Sequence, residues 1–79
     1  MKKDEGKKEI ILSKAQQRVF DFIMDFGSIT TLEAYTELGE TRLSARVFEM
    51  KEKGVPISFE WHTVQNRYGE KRKVKKYTI

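Results

Sequence analysis

Arg42 and Arg46 stand four residues apart, beside the small residues Ser44 and Ala45. On a helix that spacing makes the two guanidinium groups neighbours on one face. Small side chains let a helix approach a surface closely, and a guanidinium can bond two acceptors on one guanine edge. A second group of cations lies at the other end of the chain. Residues 64–79 hold Arg67, Lys71, Arg72, Lys73, Lys75 and Lys76 against the single acid Glu70, a net +5 in a chain whose total is +4. Residues 10–63 are net −2 and residues 1–9 net +1. Charge localised in this way belongs to a surface that touches polyanions.

Other chemistries find little support. The chain has no cysteine, and His62 is its single histidine. A disulfide framework and a Cys-based metal site are therefore excluded, and neither metal nor cofactor is expected. Asp21 and Asp25, like Glu33 and Glu37, are one helical turn apart, but they read as acidic outer helix faces. His62 reads as a surface histidine. With no nucleophile–base pair and no phosphate-cradling glycine loop, an enzyme is not expected. No apolar run exceeds three residues, too short for a membrane span or a signal segment. A cytoplasmic, nucleoid-associated protein without a membrane partner is the expectation. Seventy-nine residues make one small domain, which buries only about 60% of its unfolded surface and so has a thin core.

The elements that must position these cations can be placed from local signals. Residues 1–9, MKKDEGKKE, have no aliphatic residue after Met1 and read as a solubilising tail, leaving 10–79 as the folded domain. Ser13 with Gln16, and Thr30 with Glu33, form capping boxes that start two helices. Val19, Ile23 and Phe26 fall at i, i+4 and i+7, with Phe20 and Phe22 widening the first apolar stripe. Ala34, Tyr35 and Leu38 form the buried face of the second helix. A third helix over about Thr41 to Lys53 carries Leu43, Val47 and Met50 on its core face. Gly27, Gly39 and Gly54 end the three helices, and Ser28-Ile29 is a short extended link.

After Pro56 the period changes from helical to two. Ile57, Phe59 and Trp61 alternate with Ser58, Glu60 and His62, as in a half-buried strand, and Tyr77 and Ile79 alternate with Lys76 and Thr78. The intervening Asn66-Arg67-Tyr68-Gly69-Glu70 fits a three-residue hairpin loop closed by a glycine bulge. That loop sets Asn66 against Glu70, Phe59 against Tyr77, Ile57 against Ile79 and Glu60 against Lys76. A one-residue slip would spoil every pair. Arg67, Lys71, Arg72 and Lys73 then crowd the tip, while Lys75 and Lys76 sit lower and guard a strand edge. Phe48 of the third helix is read as packing on this hairpin, with contact to thymine methyls as the alternative.

The order helix, helix, helix, strand, strand, with Ser28-Ile29 as a stub strand, is that of an α+β winged helix. Gly39, Leu43-Ser44, Val47, Met50 and Gly54 resemble the recognition-helix region of bacterial winged helix-turn-helix proteins. The runs Gly27-Ser28-Ile29-Thr30-Thr31-Leu32-Glu33-Ala34, Arg42-Leu43-Ser44-Ala45-Arg46 and Thr63-Val64-Gln65-Asn66-Arg67-Tyr68-Gly69 resemble small phage and prophage helix-turn-helix domains. The likeness spans about Ser13 to Ile79. Only Glu40-Thr41-Arg42 separate Gly39 from Leu43, a tighter turn than most winged helices have. The resemblance implies sequence-preferring binding of double-stranded DNA, with the third helix in the major groove and the hairpin tip on the backbone or in the minor groove. It also implies transcriptional regulation, or an accessory role in recombination or replication.

The candidate contacts are Thr41, Arg42, Ser44, Ala45 and Arg46 on the helix, and Asn66, Arg67, Tyr68, Lys71, Arg72 and Lys73 on the hairpin. The bland alternative for the helix is a solvated face with Arg46 paired to Glu49. A different class of function is a protein-interaction module, such as a phage protein binding a host factor, which would use Phe48, Trp61 and Tyr68. RNA binding through Trp61 and Tyr68 is a third reading. No helix follows Ile79 to build a dimer, so a monomer in solution with association on DNA is expected.

Overall fold

The computed structural model describes residues 10–79, and the expected tail at residues 1–9 lies outside them. Helix α1 runs Lys14–Phe26, strand β1 Ile29–Thr30, α2 Thr31–Leu38, α3 Leu43–Glu52, β2 Ser58–Gln65 and β3 Lys71–Thr78. Both capping boxes form. Ser13 Oγ accepts from the Gln16 amide (3.2 Å) while Gln16 Oε1 accepts from the Ser13 amide (3.0 Å). Thr30 and Glu33 repeat that exchange at 3.2 and 3.0 Å. Each box satisfies amide donors that the start of a helix leaves open.

Helix α3 is shorter than its apolar pattern suggests. Arg42 is non-helical (φ −131°, ψ 58°), and its amide donates to Glu40 Oε2 at 2.9 Å. This bond folds the short turn after Gly39, so the helix starts at Leu43 rather than Thr41.

The core is a single cluster of Val19, Ile23, Ile29, Ala34, Leu43, Val47, Met50, Val55, Ile57 and Tyr77. Two sequence expectations fail here. Phe26 is 71% exposed and Tyr35 is also exposed. The buried stripe of α1 is Gln16, Val19 and Ile23, so the last turn overhangs the edge of a thin core and Phe26 stacks on Phe22 outside it (ring centroids 4.6 Å). Of the short α2 only Ala34 is fully buried, and Tyr35, about 100° further round the helix, faces away.

The stub strand falls one residue later than read, at Ile29–Thr30, and pairs antiparallel with Tyr77 and Lys76 of β3. The sheet order is β1-β3-β2. The hairpin register is the expected one, with Phe59 opposite Tyr77 and Glu60 opposite Lys76. Asn66 N–H donates to the Glu70 carbonyl (2.9 Å), Gly69 N–H to the Asn66 carbonyl (3.0 Å), and Gly69 has φ 81°, the left-handed conformation that this bulge requires. The expected Ile57–Ile79 pair does not form. The ladder ends at Ser58–Thr78, the Ile57 amide turns back to the Val55 carbonyl (2.9 Å), and Ile79 is exposed.

The half-buried strand is also corrected, because every residue of β2 is exposed. Only the root of the hairpin, Ile57 and Tyr77, reaches the core. The remainder projects from the helices, and the described residues measure 59 × 22 × 21 Å along their principal axes. Among the described residues no helix is long and apolar enough to cross a membrane.

These positions give contrasting stabilities. Ile29→Ala empties a fully buried site and should cost about 2–5 kcal/mol in urea unfolding. Phe26→Ala should cost less than about 1 kcal/mol. Equal costs would return Phe26 to the core.

Candidate nucleic-acid interface

Helix α3 is held against α1 by polar bonds as well as by its apolar stripe. Gln16 is the one buried polar residue among those described. Its Nε2 donates to Glu49 Oε1 (2.8 Å), and its Oε1 accepts from Lys53 Nζ (2.7 Å). Lys53 Nζ also donates to the Ile11 carbonyl (2.8 Å). Glu49 uses its other oxygen to accept from the Arg46 guanidinium at 3.0 Å. The residue that caps α1 therefore also sets Glu49, and through it Arg46.

The candidate helix residues divide accordingly. Thr41, Arg42 and Ser44 are exposed around the start of α3, while Ala45 and Arg46 are half-buried. Arg42 makes no side-chain cap bond, so the first turn of α3 lacks the side-chain cap that starts α1 and α2. The Arg46 side chain is 24% exposed, and its Nε is buried with no hydrogen-bond partner among the described residues. The pairing of Arg46 with Glu49, the alternative to groove contact, is present. An ion pair this open to water contributes about 0–1 kcal/mol, so exchanging Glu49 for an outside acceptor costs little. Phe48 corrects the reading that it packs on the hairpin, since it is 65% exposed.

On the hairpin, Arg67, Tyr68, Lys71, Arg72 and Lys73 are all exposed. Asn66 is engaged within the loop. Its Oδ1 accepts from the Tyr68 amide (2.9 Å) and the Glu70 amide (3.0 Å), and its Nδ2 donates to Glu70 Oε1 (2.9 Å). Both ends of this side chain thus shape the turn that presents Arg67 and Tyr68. Lys75, read as a plain edge guard, lies over the Phe59 ring with its Nζ 4.5 Å from the centroid. Among the described residues no group of three His, Cys, Asp or Glu side chains is placed to hold a metal ion.

Sequence reasoning missed Gln16 and Glu49 as positioning residues. The capping motif identified Gln16, yet nothing local announces a bond across 33 positions of chain. Glu49 carried a signal only in its spacing from Arg46.

Two substitutions test these arrangements. Gln16→Ala deletes three side-chain bonds and should lower stability by about 2–4 kcal/mol, more than the loss of a helix cap alone, about 1 kcal/mol. Asn66→Ala should speed hydrogen exchange at the Tyr68 and Glu70 amides while leaving the α1 amides protected. Unchanged exchange at the loop would show that its geometry stands without the side chain.

No curated protein and no solved structure matches the chain. A family match does cover most of it: residues 14–79 fit the winged helix-turn-helix domain, the same span that forms three helices and an antiparallel hairpin. The chain belongs to the winged helix-turn-helix domain family, a membership that points to DNA binding.

Proposed function

We propose that the protein binds double-stranded DNA with sequence preference, inserting α3 into the major groove and laying the hairpin tip on the backbone or in the adjacent minor groove. One observation carries this reading. The segment with a net charge of +5 forms the tip and return strand of a projecting two-stranded arm, in a domain whose third helix exposes Thr41, Arg42 and Ser44. An arm with Arg67, Lys71, Arg72 and Lys73 at its end supplies phosphate contacts, which orient a protein without reading sequence. Reading falls to α3. Arg42 is free to reach a base edge, and Arg46 joins it once it exchanges Glu49 for a guanine or phosphate acceptor.

The resemblance to small phage and prophage domains supports a role in transcriptional control or as a recombination or replication accessory. A single domain this small reads a short site, which favours a monomer in solution and association of copies on DNA. The competing role as a protein-interaction module would use Phe48, Trp61 and Tyr68 as one patch. Trp61 instead has Phe59 as its ring neighbour (5.7 Å), and Tyr68 stands at the far tip of the hairpin, so the three residues are divided among separate elements.

Anisotropy titrations of a duplex selected from a random pool test this proposal. Log K against log [salt] should fall with a slope of about −0.9 per phosphate neutralised, or about −4 to −5 for five contacts. Arg42→Gln should reduce discrimination between the selected and a scrambled duplex by about 1–3 kcal/mol. Arg67→Gln should weaken both duplexes alike and make the slope shallower by about one. Equal losses on both duplexes from both variants would remove groove reading by α3.

A further inference from the structure

The alternation of the hairpin sorts its side chains into two unlike faces. Residues that are paired in register point to the same side. One face therefore holds Phe59, Trp61, Thr63 and Gln65 of β2 opposite Tyr77, Lys75, Lys73 and Lys71 of β3. It has three cations and no acid. The other face holds Glu60 and His62 with Arg72 and Lys76, and its charges partly cancel. All the Phe, Trp and Tyr rings of the two strands lie on the first face. Tyr77 is buried at the root, while Phe59 is 43% and Trp61 59% exposed on the projecting arm.

These residues form a connected unit. Phe59 and Trp61 meet edge to face at 5.7 Å, and Lys75 Nζ lies 4.5 Å from the Phe59 centroid and 5.7 Å from that of Trp61. Lys73 and Lys71 continue the line toward the tip, each about 7 Å further along the strand. A groove of about 590 Å³ with no residue of α3 in its wall is lined by Trp61, Lys75 and Tyr77 of this face together with His62, Val64 and Val74 of the other, so it runs along the arm and is not confined to the lysine face.

We infer that this face of the hairpin binds single-stranded nucleic acid, with Trp61 stacking on a base and Lys71, Lys73 and Lys75 following the phosphates. Complementarity selects this ligand. A row of cations without an acid selects a polyanion, and half-exposed rings beside that row select a polyanion with free π faces. A duplex satisfies the lysines but keeps its base faces stacked inside. An acidic peptide satisfies the lysines but brings no flat partner for Trp61. A single strand presents both, and base–aromatic stacking beside a basic track is how such strands are held without sequence preference. The inference goes beyond duplex reading by α3, because Phe59, Trp61 and Lys75 lie outside that surface.

Trp61 is the only tryptophan, so its fluorescence reports on this face alone. The intact protein should show saturable quenching with a twelve-nucleotide oligothymidylate at low salt, with a log–log salt slope of about −2, from about −0.7 per phosphate for three lysines. Trp61→Ala, followed by anisotropy of the labelled oligonucleotide, should weaken this binding about five- to a hundred-fold, the range of base–aromatic stacking. Trp61→Phe should retain most of it, and both variants should keep the affinity for the selected duplex. Tighter binding of oligouridylate would uphold the inference and name RNA as the source, whereas preference for oligothymidylate would name DNA. Absence of quenching overturns it, as does displacement of the oligonucleotide by an equal charge of polyglutamate. Equal loss of duplex and single strand in Trp61→Ala also overturns it, by placing Trp61 in the duplex interface. Equal losses on the selected and scrambled duplexes in Arg42→Gln, with oligothymidylate binding intact, would sink the major-groove proposal and leave this one standing.

Discussion

The placement of α3 depends on one amide side chain. Gln16 is 5% exposed and bonds to the Ser13 amide, Glu49 and Lys53. A buried amide costs free energy unless its donors and acceptors are met, so these partners constrain one another. The same residue starts α1 and clamps the middle and end of α3. In a core of ten buried apolar side chains, the stripe Leu43, Val47 and Met50 decides which side of α3 turns inward, but hydrophobic burial has no direction and leaves its fine register loose. Hydrogen bonds have direction. They narrow that register, and through Glu49 they hold the Arg46 guanidinium.

The hairpin presents the opposite situation. Its root is anchored by Ile57, by Tyr77 and by the two-residue ladder with β1, and beyond Lys76 no strand flanks the outer edge of β3 among the described residues. Such an edge invites pairing with another chain, and lysines along it oppose that. The lysines that protect the edge are therefore the ones available to a polyanion. The arm costs the domain burial of Phe59 and Trp61 but places its charge well clear of the acidic body. Turn geometry stabilises it instead of a core: the Asn66 side chain and Gly69 close the loop and hold the register.

Features set within a few residues were legible in the sequence. Both capping boxes, the glycines that end the first two helices, the loop type and the Phe59–Tyr77 register all follow from contacts a short distance apart in the chain. The failures share a different cause. Phe26, Tyr35 and Phe48 carry apolar side chains in positions compatible with a helix face, and their exposure reflects how far the core extends. The same holds for β2, whose alternation was real although the helices do not reach far enough to cover it. Of the candidate contacts, Arg42, Arg67, Lys71, Arg72 and Lys73 are exposed. Arg46 and Asn66 are engaged by partners, Glu49 and the loop amides, which periodicity could suggest but not choose.

The sequence by itself determined the order of elements, the winged helix-turn-helix architecture and the concentration of positive charge on the hairpin, because caps, turns and alternation are local. Only the tertiary structure decided which apolar residues are core, that Gln16 ties α1 to α3, and that the hairpin stands clear with its rings and lysines on one face. Those outcomes depend on where separate elements meet. A side chain's burial, and the partner a cation takes, are properties of that meeting and have no signature in the residue alone.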